Sequence, residues 1–89
     1  MASNMLTDEE LIERHIDASP GIGGPAEARL RRSWVPVWAV IGQIPVAGNN
    51  AEALGDAYEI PVEEAEAALA YDRRHHAVIV ARLDANRVA

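Results

Sequence analysis

Apolar residues recur along much of the chain at the three-and-four spacing of an amphipathic helix, broken by glycine and proline at a few points. The first helix is signalled by its start. Thr7 is a good N-cap, Glu10 three residues on completes a capping box, and Leu6 and Leu11 hold the staple positions. Asp8 and Glu9 suit the positive end of a helix dipole, so a short helix is predicted over 8–14. Ser19–Pro25 (SPGIGGP) has two prolines and three glycines and reads as a flexible connector. No Lys-Ser/Thr follows it and no apolar strand precedes it, which sets it apart from a phosphate loop. Ala28-Arg29-Leu30-Arg31 alternates with the strand period. A lone strand cannot satisfy its backbone, so this one is expected to pair with a second copy or a partner chain.

The main body follows. Pro36 suits the first turn of a helix, and Val37, Trp38, Ile41 and Ile44 keep helical spacing, with Val40 beside them. Trp34 is read onto the same helical face as Trp38, both as core. Pro45 and Gly48 end that helix. Asn49 or Asn50 caps a second short helix over 51–58, and Ile60-Pro61 turns the chain into an Ala- and Glu-rich helix from Val62. Helices joined by tight turns in this way fit a helix-turn-helix. The fold is therefore expected to be mainly α, a single domain over 1–89. It divides into an N-terminal helix and loop arm (1–27), a helix-turn-helix body (28–74) and a C-terminal helix extension (75–89).

The last helix looks too long for its domain. Its apolar seam of Ala65, Ala68 and Leu69 meets a polar belt, Asp72-Arg73-Arg74-His75-His76, and resumes as Val78, Ile79, Val80 and Leu83. Continuous from 62 to 86, it would be about 37 Å long at about 1.5 Å per residue. Its second half is expected to project and to need cover from another polypeptide, which makes Val78, Ile79 and Leu83 the candidate partner-binding residues. Two alternatives stay open: the helix breaks at the polar belt and folds back, or the β-branched run 78–80 is a strand.

Composition sharpens this picture. Eighty-nine residues give a thin core, which favours a homodimer. Fourteen carboxylates against eight cations leave a net charge of −6, and every cation is an arginine. Such a domain attracts basic proteins and repels nucleic acid at long range. The absence of cysteine excludes a disulfide scaffold, a thiol nucleophile and a thiolate metal site. It also suits a cytoplasmic protein. No signal-peptide pattern opens the chain, and no apolar run approaches the roughly 18 residues of a membrane span.

Candidate chemistry is sparse. His75 and His76 point about 100° apart on a helix and cannot grip one metal together, and His15 is distant in sequence, so neither metal nor cofactor is expected. Glu63, Glu64 and Glu66 lie in the first turns of a helix, where the dipole explains carboxylates without catalysis. No nucleophile has a plausible base beside it, and a non-enzymatic role is expected: a regulator that binds a partner protein or, alternatively, a DNA-binding regulator or a homo-oligomeric structural adaptor. Arg29, Arg31 and Arg32 form one candidate DNA-binding group, and Arg73 and Arg74 a second. The three glutamates opening the last helix would oppose its entry into a major groove.

Several blocks together resemble a known family. They are Val35-Pro36-Val37-Trp38, Gly48, Ala57-Tyr58, Ala67-Ala68-Leu69-Ala70-Tyr71, Arg73-Arg74-His75, and Ala81-Arg82-Leu83 with Asn86. From Ile12 to Arg87 the chain is similar to the domain-of-unknown-function 433 family, small bacterial and archaeal proteins predicted to be VapB-type antitoxins. The resemblance implies a homeodomain-like helix-turn-helix, commonly dimeric. It further implies a PIN-like ribonuclease toxin as partner and operator DNA as a second target. Arg32-Ser33-Trp34 replaces a frequent Gly-Thr-Arg triplet, Asp72 a frequent tyrosine and Val80 a frequent aspartate. Gly24–Leu30 instead matches a divergent subgroup that is less clearly tied to toxins.

Overall fold

In the computed structural model, which describes residues 6–88, the capping box at Thr7 is complete. The Thr7 hydroxyl accepts from the Glu10 amide at 3.1 Å, and the Glu10 carboxylate accepts from the Thr7 amide at 2.9 Å. Helix α1 spans Asp8–His15. It leads directly into strand β1 (Ile16–Asp17), which pairs antiparallel with β2 (Arg29–Leu30) in the register Ile16↔Leu30, Asp17↔Arg29. The predicted strand near 28–31 therefore exists, but its partner is this chain's own segment after α1. Its other edge is also occupied: the Leu30 amide donates to the Val35 carbonyl, and the Val37 amide to that of Ala28, both at 2.9 Å. With both edges paired, β2 needs no second polypeptide.

The loop between the strands is not slack. Two single turns of 3₁₀ helix, Pro20–Ile22 and Pro25–Glu27, are separated by Gly23 and Gly24, whose φ values of 112° and 86° exclude ordinary side chains. The loop is tied down at its far end. The Tyr71 hydroxyl donates to the Pro25 carbonyl at 2.8 Å, and Arg82 donates to Glu27 at 2.6 Å.

Helices α2 (Val37–Gly42), α3 (Ile44–Ala47) and α4 (Ala51–Tyr58) follow, and the Asn50 side chain caps α4 by accepting from the Ala53 amide at 2.7 Å. The Tyr58 hydroxyl ties α4 to α2 through the Ala39 carbonyl. Helix α4 ends with Glu59 in the left-handed region, φ 56°, and the Ile60 amide returns to the Gly55 carbonyl, the six-to-one closure of a Schellman cap.

Helix α5 (Val62–Val88) organises everything else. In its first limb Glu64, Ala65, Ala67, Ala68, Ala70 and Tyr71 are all buried. At 100° per residue these cover more than half its circumference. Alanine side chains let α1, α2 and α4 approach closely, and α5 is the central helix of the bundle. Three ion-pair groups hold α1 antiparallel to it: Asp8 with Arg73, Glu9 with Arg74, and Arg14 and His15 with Glu63.

The helix bends at His75, whose φ −131°, ψ 37° is not helical. The polar belt is thus a bend, and the second limb runs along the body. Ile79 is fully buried in one core with Val37, Val40 and Leu30. Leu83 packs so closely over α2 that a Cβ on Gly42 would lie 2.9 Å from it. The projecting, uncovered ridge expected from helix length is corrected here, because the bend lets both limbs share a single core. Residues 78–80 are helical. No helix is long and apolar enough to cross a membrane, among the described residues.

Candidate functional site

The turn Arg31-Arg32-Ser33-Trp34 joins β2 to the extended segment at Val35 and Pro36, where Pro36 bridges back to Arg29. The Trp34 amide donates to the Leu30 carbonyl and the Leu30 amide to that of Val35, both at 2.9 Å. Arg29 folds back so that its guanidinium donates to the Trp34 carbonyl at 2.8 Å and lies 5.6 Å from the indole centroid. These bonds fix Trp34 at φ 63°, a conformation rare for a bulky residue. Such geometry costs on the order of 1–3 kcal/mol and persists only where neighbours over-determine it. Trp34 is 46% exposed. It therefore belongs neither to a helix nor to the core, contrary to the reading from spacing, because the chain does not become helical until Val37.

An account of the arginines separates the two basic groups. Arg73 forks onto Asp8 at 3.0 and 2.8 Å, and Arg74 lies 3.7 Å from Glu9. Arg14 meets Glu63 at 3.3 Å, Arg82 holds Glu27 while lying 4.3 Å from the Trp38 ring centroid, and Arg87 pairs with Asp84. Among the described residues only Arg31 and Arg32 have neither a direct ion pair nor an aromatic partner, although Arg31 lies near enough to Asp17 to help lower its carboxyl. The candidate phosphate contacts Arg73 and Arg74 are thus spent on clamping α1. They sit at the opposite end of α1 from the turn, where the Arg31 amide bonds the His15 carbonyl, about 10 Å along a helix of that length.

The candidate partner residues divide as well. Ile79 is buried, Val78 is half-buried, and Leu83 packs on the core. Burial inside its own chain removes Ile79 from any contact surface. Among the described residues the exposed large apolar side chains are instead Trp34, Val46, Val62 and Val80.

Beside the turn lies an open cleft of about 570 Å³ between Arg32 and Ser33 on one wall and the α4–α5 corner on the other. Asp56, Glu59 and Glu64 line it. Among the described residues the two non-glycine ones with left-handed backbone, Trp34 and Glu59, belong to the two segments that form these walls. Glu64 is only 3% exposed, and its Oε1 has no hydrogen-bond partner. Sequence reading assigned Glu64 to the helix dipole. The overlooked signal was Pro61: a glutamate at the third helical position ordinarily accepts from the N-cap amide, and proline has no such amide to give.

Electrostatics elsewhere is structural. Hydrogen bonds from Arg73 hold the Asp8 carboxyl below the usual carboxylate range, and the His15 ring, 2.6 Å away, does the same for Glu63. Burial pushes the Tyr71 phenol up. His76 pairs with Asp72 at 3.0 Å while the His75 ring lies 4.4 Å from that of Tyr71, so the two histidines serve different neighbours. Among the described residues no three histidine or carboxylate side chains converge on a possible metal position. Comparison of the chain with known protein families, with curated proteins and with solved structures gives no match.

Proposed function

We propose that the chain is a cytoplasmic, antitoxin-like binding module that holds a basic polypeptide, of the kind a PIN-like ribonuclease toxin presents, against the Arg31–Trp34 turn. The observation that carries this reading is Trp34, a half-exposed aromatic held in a strained conformation beside a cleft lined by the carboxylates of Asp56, Glu59 and Glu64. Tryptophan and arginine dominate binding hot spots, and a rigid anchor loses little entropy on docking. The net charge of −6 favours a basic partner and speeds its approach.

The helix that would enter a DNA groove is poorly suited to it. Most of the first limb of α5 faces the core, and its exposed side offers Glu66 and the already paired Arg73. Two of the grounds for a homodimer, an uncovered ridge and an unpaired strand, are met within one chain, which leaves only the thin core.

Co-expression with the product of the neighbouring reading frame tests the proposal. The two proteins should co-purify, and Trp34→Ala should weaken the complex at least tenfold without unfolding the chain. Absence of a complex, or unchanged affinity in Trp34→Ala, overturns it. A mobility shift on the chain's own promoter with steep salt dependence would replace it with DNA binding.

A further inference from the structure

We infer that the cleft between the Arg31–Trp34 turn and the α4–α5 corner is a receptor for one cationic group, a guanidinium or ammonium, seated against the buried carboxylate of Glu64. The inference deepens the reading above and rests on it only for the source of the group, a basic polypeptide. Glu64 supplies the main observation. It is the one charged residue buried in the chain, and its Oε1 is the one fully buried side-chain oxygen or nitrogen without a partner, both among the described residues. A carboxylate removed from water without a counter-charge is heavily penalised. The chain cannot satisfy it locally, because the residue ahead of the helix is Pro61, and no arginine or histidine lies within ion-pair distance of it. A cation from outside can supply the missing partner, and the cleft is where it can enter.

The walls suit such a guest. Asp56 and Glu59 line the mouth of the cleft above Glu64, and three carboxylates gathered there concentrate negative potential. Ile60 and Pro61 offer apolar surface for the methylene stem of an arginine or lysine. Arg32, on the facing wall and unpaired, is placed to meet the main-chain carbonyl of the same guest. The corner is rigid: a Cβ on Gly55 would lie 3.0 Å from the Ile60 carbonyl oxygen, so α4 and the start of α5 are already at closest approach.

The test is an NMR titration of the full chain with methylguanidinium chloride, using sodium chloride at equal ionic strength as reference. Saturable shifts are expected at the amides of Gly55, Glu59, Ile60 and Glu64, and sodium chloride should give none. Glu64→Gln should abolish saturation while leaving the fold intact, since it removes the uncompensated charge and keeps the shape. The double change Asp56→Asn, Glu59→Gln lies on the exposed rim and should weaken binding severalfold, which keeps the test decisive if Glu64→Gln does not fold. Linear shifts matching those of sodium chloride, or unchanged saturation in these variants, overturn the site. A capped Gly-Arg-Gly peptide should bind at least tenfold tighter than methylguanidinium and lose that advantage in Arg32→Ala; equal affinity overturns the polypeptide as source. Loss of the cleft signal while the Trp34-dependent complex survives would refute this inference alone. An intact cleft signal without any protein complex would refute the functional proposal alone.

Discussion

Replacing Ile79 with alanine separates two incompatible roles for the second limb of α5. A partner-facing isoleucine could be truncated with little effect on the isolated chain. Ile79 is fully buried in the core that contains Val37, Val40 and Leu54. Truncating a buried isoleucine removes its transfer free energy and leaves a cavity, together about 2–5 kcal/mol. The lower half of that range applies, because α5 is bent at His75 and its second limb can settle inward. We expect a loss of about 3 kcal/mol, a large share of the roughly 5–15 kcal/mol that stabilises a small domain. For a chain of this length that lowers the melting temperature by about 15 °C. Urea unfolding followed by circular dichroism is the assay. With a slope near 1 kcal/mol per molar, the midpoint should fall by roughly 2–3 M. Val80→Ala, at a more exposed neighbouring site, is the control and should change stability by less than about 0.5 kcal/mol. Running both at several protein concentrations adds a second readout, since a self-contained monomer has a midpoint independent of concentration. A loss under about 1 kcal/mol for Ile79→Ala, or a midpoint that rises with concentration, would refute the argument that the chain covers its own ridge.

Other consequences follow from the same contacts. The carboxyls of Asp8 and Glu63 are held below their usual values of 3.8 and 4.5, so their stabilisation is fully present above about pH 5. It is lost as the pH falls through the lowered values; acid titration of Asp8→Asn should show a shallower loss, and an identical acid limb would contradict this. Tyr71→Phe strips the Pro25 carbonyl of its donor, at a cost of about 1–2 kcal/mol by urea unfolding. Glu59→Gly relieves a left-handed residue and should stabilise the chain by about 0.5–1 kcal/mol, partly offset by glycine's entropy; a destabilised variant would show that the Glu59 side chain supports the corner.

What the sequence determined by itself is local. The capping box at Thr7, the Asn50 cap, the turns at Gly48 and Pro61 and the strand near Arg29 all depend on residues a few positions apart, and all are present. Helix content was legible for the same reason. The tertiary structure decided which surfaces meet. The bend at His75 turned a supposed docking ridge into core, and pairing with Ile16–Asp17 closed a strand that spacing alone left open. Arg73 and Arg74 became ion-pair clamps because Asp8 and Glu9, sixty-five residues earlier, were folded beside them. Trp34 emerged at the surface because the bonds of Leu30, Val35 and Arg29 override the helical spacing it shares with Trp38. The absence of a local partner for Glu64 could be read from Pro61, but its burial belongs to the folded chain. Periodicity assigns a residue to one side of its own element. Whether that side meets protein or solvent depends on segments distant in sequence, and no local pattern carries that information.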